Sequence, residues 1–166
     1  MKTIEMELAV SAYFNPRQNL SIPNVSWGFN IHECDLLILT KTRYLYEIEI
    51  KVSRSDLIKD KEKRHNHQNN KIKRFYFAIP EEMEKDIEHI PERAGILIVY
   101  KAKNGRICCK KLRESKINTL STPVNDDDAY KLARLGALRI WALKKRILKI
   151  IKCKERKKRK LIADKS

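Results

Sequence analysis

Residues 44–56 read YLYEIEIKVSRSD, and the order of residue types within them sets the reading of everything around. From Glu47 to Val52 charged and apolar side chains alternate, the period of a strand whose successive residues point to opposite faces. Glu47, Glu49 and Lys51 fall on one face, and Ile48, Ile50 and Val52 on the other. Ser53 then precedes Asp56 by three residues, a capping-box pattern that predicts a helix over 53–68, SRSDLIKDKEKRHNHQ.

Working outward, CDLLILT (34–40) pairs with YLYEIEIKV (44–52) as a hairpin around Lys41-Thr42-Arg43. TIEMELAVSAYF (3–14) reads as a first helix closed by Asn15 and Pro16, and PNVSWGF (23–29) as extended. Downstream come a short buried strand, RFYFAIP (74–80), and a short helix, EEMEKDIEHI (81–90). AGILIVYK (94–101) and RICCKKL (106–112) form a second hairpin across Asn104-Gly105, a favoured tight-turn pair. Residues 1–118 thus form an α/β domain around a central mixed sheet flanked by helices, and TLSTPVN (119–125) a linker. An amphipathic basic helix and tail over 126–166 starts at Asp126-Asp127-Asp128, whose charges suit a helix N-terminus. Its apolar stripe is Leu132, Leu135, Leu138, Leu143, Ile147 and Ile150.

A chain of 166 residues suits one domain with a modest core, and 42% hydrophobic residues exclude wholesale disorder. The formal net charge of +16 exceeds what solubility needs and points to a polyanion, either nucleic acid or an anionic membrane surface. Residues 144–166 hold twelve Lys and Arg against Glu155 and Asp164, a net +10, which leaves +6 on the body. Cys34, Cys108, Cys109 and Cys153 make no C-x-x-C pair, so neither a structural zinc site nor a disulfide framework is indicated. With no secretory signal and no apolar run of membrane-span length, a reducing cytoplasm is the expected compartment.

Side chains two apart on a strand lie roughly 6.5–7 Å from one another on the same face. The partner strand of the hairpin carries Asp35, with Glu33 two residues earlier on the same side. Up to four carboxylates and one lysine therefore share a region. Such carboxylates repel one another unless something positive sits among them. A Mg²⁺ ion, which prefers oxygen ligands and keeps several waters, is the economical solution. Lys51 beside a metal-bound water and a phosphate would be equipment for hydrolysing a phosphodiester. Alternating Glu and Lys more commonly marks a solvated face with cross-strand ion pairs. Three features tip the balance here: Asp35 leads the preceding strand, a capped helix follows, and basic residues come at once. These are Lys59, Lys61, Lys63, Arg64, Lys71, Lys73 and Arg74, placed to track a phosphate backbone.

HECDLLIL followed by YEIEIKVSRSD resembles the PD-(D/E)XK nuclease superfamily, and more narrowly the MmcB-like DNA repair proteins and their phage-borne relatives. The resemblance covers about residues 3–112, and its specific motif lies in 33–56. It implies a restriction-endonuclease-like core and a metal-dependent DNA endonuclease that uses Mg²⁺ or Mn²⁺ in repair or phage DNA processing. It implies Asp35 and Glu49 as metal ligands and Lys51 as the catalytic lysine. The proline usual before the first aspartate is replaced by Cys34. A further acidic group often comes from the first helix, where Glu7 is the better candidate and Glu5 the weaker; Glu33 is the alternative. Glu47 reads as a residue at the solvated strand end.

His65-Asn66-His67 spells a nuclease name without its spacing, since residues two apart on a helix share no face. Trp27 and Trp141 read as packing residues, and one of Cys108 and Cys109 as inward-facing. DNA is the expected partner, with no membrane and no small-molecule substrate required; nothing in the sequence bears on oligomeric state. Two rivals stand beside the nuclease: a nucleic-acid-binding module without chemistry, and a membrane-surface protein held by the last helix.

Overall fold

The computed structural model describes residues 1–25, 31–60 and 69–163. Helix α1 (Thr3–Tyr13) is followed by strands β1 (Leu20–Val25), β2 (Cys34–Leu39) and β3 (Leu45–Ile50), then helix α2 (Arg54–Asp60). Strand β4 (Ile72–Pro80), a 3-10 segment (Glu81–His89), strands β5 (Gly95–Lys101) and β6 (Ile107–Arg113), and helix α3 (Asp126–Ala163) complete the order. The six strands form one sheet in sequence order: β1, β2 and β3 run antiparallel, β3–β4 and β4–β5 parallel, and β5–β6 antiparallel. The architecture is α/β, with a mixed sheet flanked by helices and a long C-terminal helix.

Met6, Ala9 and Val10, spaced three and four apart, form the buried stripe of α1. It packs on one face of the sheet against Leu36, Ile38, Ile48, Ile50, Tyr76, Ala78, Leu97 and Val99. Two apolar clusters occupy the other face. One gathers Ile22, Leu37, Leu39, Leu45 and Ile72 with Val124 and Leu132. The other gathers Phe75, Phe77, Ile79, Ile96 and Ile98 with Leu57 of α2 and Met83. Gly95 is opposite Tyr76, whose ring would lie 2.3 Å from any Cβ placed there, so only glycine admits it. Gly105 takes a φ of +82° in the β5–β6 turn, as Asn104-Gly105 predicts.

Several local expectations shift. The 81–90 helix is a 3-10 segment, and β1 starts earlier, at Leu20, with Pro23 tolerated on an edge strand. The Ser53 hydroxyl accepts the Asp56 N–H at 3.3 Å, as capping predicts; the helix beyond Asp60 falls on residues outside those described. Trp27, His65 and His67 also lie outside them. The stretch read as a linker contains buried Ser121 and Val124, and the Val124 N–H donates to Arg43 O in the β2–β3 turn.

Among the described residues, only the first turns of helix α3 pack on the domain. Leu132 is fully buried and Leu135 partly so, with Gly136 against Ile22. Leu138, Leu143, Ile147 and Ile150 are exposed, and so is Trp141 at 60%, against its reading as a packing residue. The physical reason is length: 38 residues extend about 57 Å, far beyond the β1 edge that the first turns cover. No helix among the described residues is long and apolar enough to cross a membrane.

Candidate functional site

The alternation of β3 places Ile48 and Ile50 under α1, so Glu47, Glu49 and Lys51 face the other side. That side is not solvated. Glu47, Glu49 and Lys51 are 1%, 2% and 5% exposed, which corrects the reading of Glu47 as a residue at a solvated strand end. The cause is strand order. β3 lies in the interior of the sheet, and Glu47 stands between Leu37 on β2 and Phe75 on β4. Glu49 stands beside Phe77. A strip of charge thus runs between the two apolar clusters of this face.

Charges so placed require partners. Lys51 Nζ donates to Glu49 Oε2 at 2.9 Å. Glu47 Oε1 lies 2.6 Å from Nε2 of His32, a residue that sequence reasoning passed over because it sits in irregular chain before β2. Asp35 holds the end of the hairpin: its Oδ2 accepts the Ile50 N–H at 2.8 Å.

Two neighbouring groups register this negative charge. The Cys34 thiol is pushed far above its ordinary range by burial first, and then by Glu47, Glu49 and Asp35. Glu7, on α1, is raised by burial and next by Asp35. Asp35, next to Leu36 at the end of the β2–β3 register, is felt by Glu7 of α1 and, together with Glu47 and Glu49, at Cys34. The candidate residues Asp35, Glu49, Lys51 and Glu7 gather in one region. Glu33 is exposed just before β2, and Glu5 is used elsewhere, its carboxylate accepting the Lys2 N–H at the start of α1.

The donor set suits a hard divalent ion, being carboxylate oxygen. In the arrangement present, Asp35 is engaged with backbone and Glu49 with Lys51. Among the described residues no group of three or more His, Cys, Asp or Glu is disposed to hold a metal ion.

Of the basic residues expected to track phosphate, Lys59 is exposed on α2. Lys71 pairs with Asp128 at 3.1 Å and ties β4 to α3. Lys73 Nζ lies 4.4 Å over the Tyr44 ring, and Arg74 donates to Glu114 and to Ser115 O. Lys61, Lys63 and Arg64 lie outside the described residues. Arg93 was missed: it lies over Phe75 at 5.5 Å, and its guanidinium is lowered by burial and partly restored by Glu47.

No family model matches the chain, and no curated protein matches it. A solved structure, the SPO1766 protein of unknown function from Silicibacter pomeroyi, is similar at 18% identity and a TM-score of 0.57. The match covers 82% of this chain and 86% of that one. At that identity the likeness shows the fold alone.

Proposed function

We propose that this protein is a metal-dependent DNA endonuclease with a restriction-endonuclease-like core, acting in DNA repair or phage DNA processing. The observation that carries the reading is the buried Glu49–Lys51 pair, on the same strand face as Glu47. Burying an ion pair is not needed for stability, because well-packed apolar residues of similar volume serve as well or better. A fold that keeps several charges between two apolar clusters, in a chain of net charge +16, is accounted for by chemistry on a polyanion.

Asp35 and Glu49 would hold a Mg²⁺ or Mn²⁺ ion, which supplies an activated water and offsets phosphate charge. Lys51, held by Glu49, would offset negative charge on the phosphoryl oxygens as it develops, once the site opens to substrate. Glu7, whose carboxyl is raised by burial and next by Asp35, would be the additional acidic group. The test is cleavage of supercoiled, duplex, branched and single-stranded DNA with Mg²⁺ or Mn²⁺.

A second reading is favoured by one observation, the engagement of Asp35 and Glu49 with protein partners. On it the fold binds nucleic acid without cutting. DNA binding with no cleavage of any form under either metal would select this reading.

A further inference from the structure

On the sheet face that carries Glu47, the starts of β4 and β5 and the chain after β6 enclose a cleft of about 300 Å³. Lys73, Arg74, Arg93 and Lys116 line it together with Asn69 and Asn118, and none of the described residues that line it is acidic. Phe75, in its wall, is the register partner of Glu47 on the adjacent strand. Neighbouring strands are about 4.8 Å apart, so the cleft begins one strand away from Glu47, while Glu49 stands further along β3 beside Phe77, outside the lining.

We propose that this cleft binds the sugar–phosphate backbone of the nucleic acid strand, on the sheet face that carries Glu47. The proposal deepens the nuclease reading and rests on it for the identity of the polymer. Four cations around one concavity, with no carboxylate among the described lining residues, select an anion. Guanidinium groups suit phosphate because their planar forks donate in pairs. Two of the cations, Lys73 and Lys116, are held lightly enough to be recruited, whereas Arg74 already donates to Glu114 and to Ser115 O. Lys116 lies 3.3 Å from Glu92, but both are largely exposed, and such pairs contribute little. Lys73 rests on the Tyr44 ring. Arg93 stacks on Phe75, where burial disfavours its charge, and an incoming phosphate would favour it. Asn118 serves the frame, donating to Asn69 O and Ile72 O and accepting from Leu120 N.

The shared ligand chemistry, phosphate, could come from a polymer or from a free nucleotide, and binding without metal distinguishes them. The full chain is titrated into a labelled single-stranded oligonucleotide and a labelled duplex without divalent ions, over a range of salt. Adenosine monophosphate and inorganic phosphate serve as competitors. Arg93→Ala with Lys116→Ala is expected to weaken oligonucleotide binding about tenfold or more and to reduce the salt slope by about one to two. Lys103→Ala, on the β5–β6 turn at the opposite end of β5, should change neither. Arg93→Lys should retain most of the slope. Should the double variant not fold, Lys73→Ala with Lys116→Ala carries the same expectation. Unchanged affinity and slope would overturn the proposal. So would a mononucleotide that binds as tightly as the oligonucleotide, which would make this a free-nucleotide pocket. Because no metal or cleavage enters the readout, a protein that binds through the cleft and cuts nothing would contradict the nuclease reading alone.

Discussion

Lys51 Nζ lies 2.9 Å from Glu49 Oε2, two residues away on one strand face, and both side chains are almost sealed from water. This closeness changes what substitution does. Lys51→Ala would leave the Glu49 carboxylate buried without its cation, and breaking such a pair costs about 3–5 kcal/mol. Lys51→Met combined with Glu49→Gln removes both charges while keeping volume, and stability should return to within about 1 kcal/mol of the parent. Urea unfolding of the single and double variants checks this. A single variant as stable as the parent would mean that the pair is not buried as described.

Glu7 offers a pH signature. Its folded-state carboxyl lies above its ordinary value, through burial and then Asp35, so the native state holds the proton more tightly than the unfolded state. Stability therefore falls as pH rises from the ordinary carboxylate range through the raised value, and the penalty is complete at neutral pH. Glu7→Gln should be more stable than the parent at neutral pH, and this advantage should vanish in acid below the ordinary glutamate value. Thermal unfolding against pH measures it. If Glu7 and Asp35 share a metal site, added Mn²⁺ should raise the parent Tm and have a smaller effect on Glu7→Gln.

Helix α3 should divide into a docked part and a free part. Leu132→Ala, at a fully buried position against the β1 side of the sheet, should cost about 2–5 kcal/mol. Leu143→Ala, about three turns further along and exposed, should stay within about 0.5 kcal/mol. Equal losses would place the distal helix against something else.

The basic end of α3 should act by charge alone. Deleting residues 152–166 removes Lys and Arg that bury nothing in the described part of this segment. The melting temperature should be preserved, DNA affinity should fall, and the salt slope should flatten because fewer phosphates are neutralised. An unchanged slope would show that this segment serves a partner other than nucleic acid.

Much of the sheet was legible because local rules act within a few residues. Alternation marked β3, Asn104-Gly105 marked the second hairpin, and Ser53 marked the start of α2. The burial of Glu47, Glu49 and Lys51 was not legible, because it depends on β4 lying parallel beside β3, a contact made across the crossover. His32 escaped notice for the same reason: its partner is 15 residues away, and irregular chain carries no period. Arg93 approaches Glu47 only through the order β3–β4–β5. The periodicity of α3 marks a helix but holds no information on where the sheet beneath it ends.

The central claim is that the charged strip cleaves phosphodiesters, and cleavage rate under matched folding tests it most directly. Parent, Asp35→Asn and Lys51→Met combined with Glu49→Gln are compared on the same DNA with Mn²⁺, after unfolding curves establish that each is folded at the assay temperature. The account predicts that the parent cuts and that each variant is slower by at least about 10²–10³-fold, while binding in Ca²⁺ changes far less. A parent that binds DNA yet cuts no form of it, or variants that cut as fast as the parent, would contradict it.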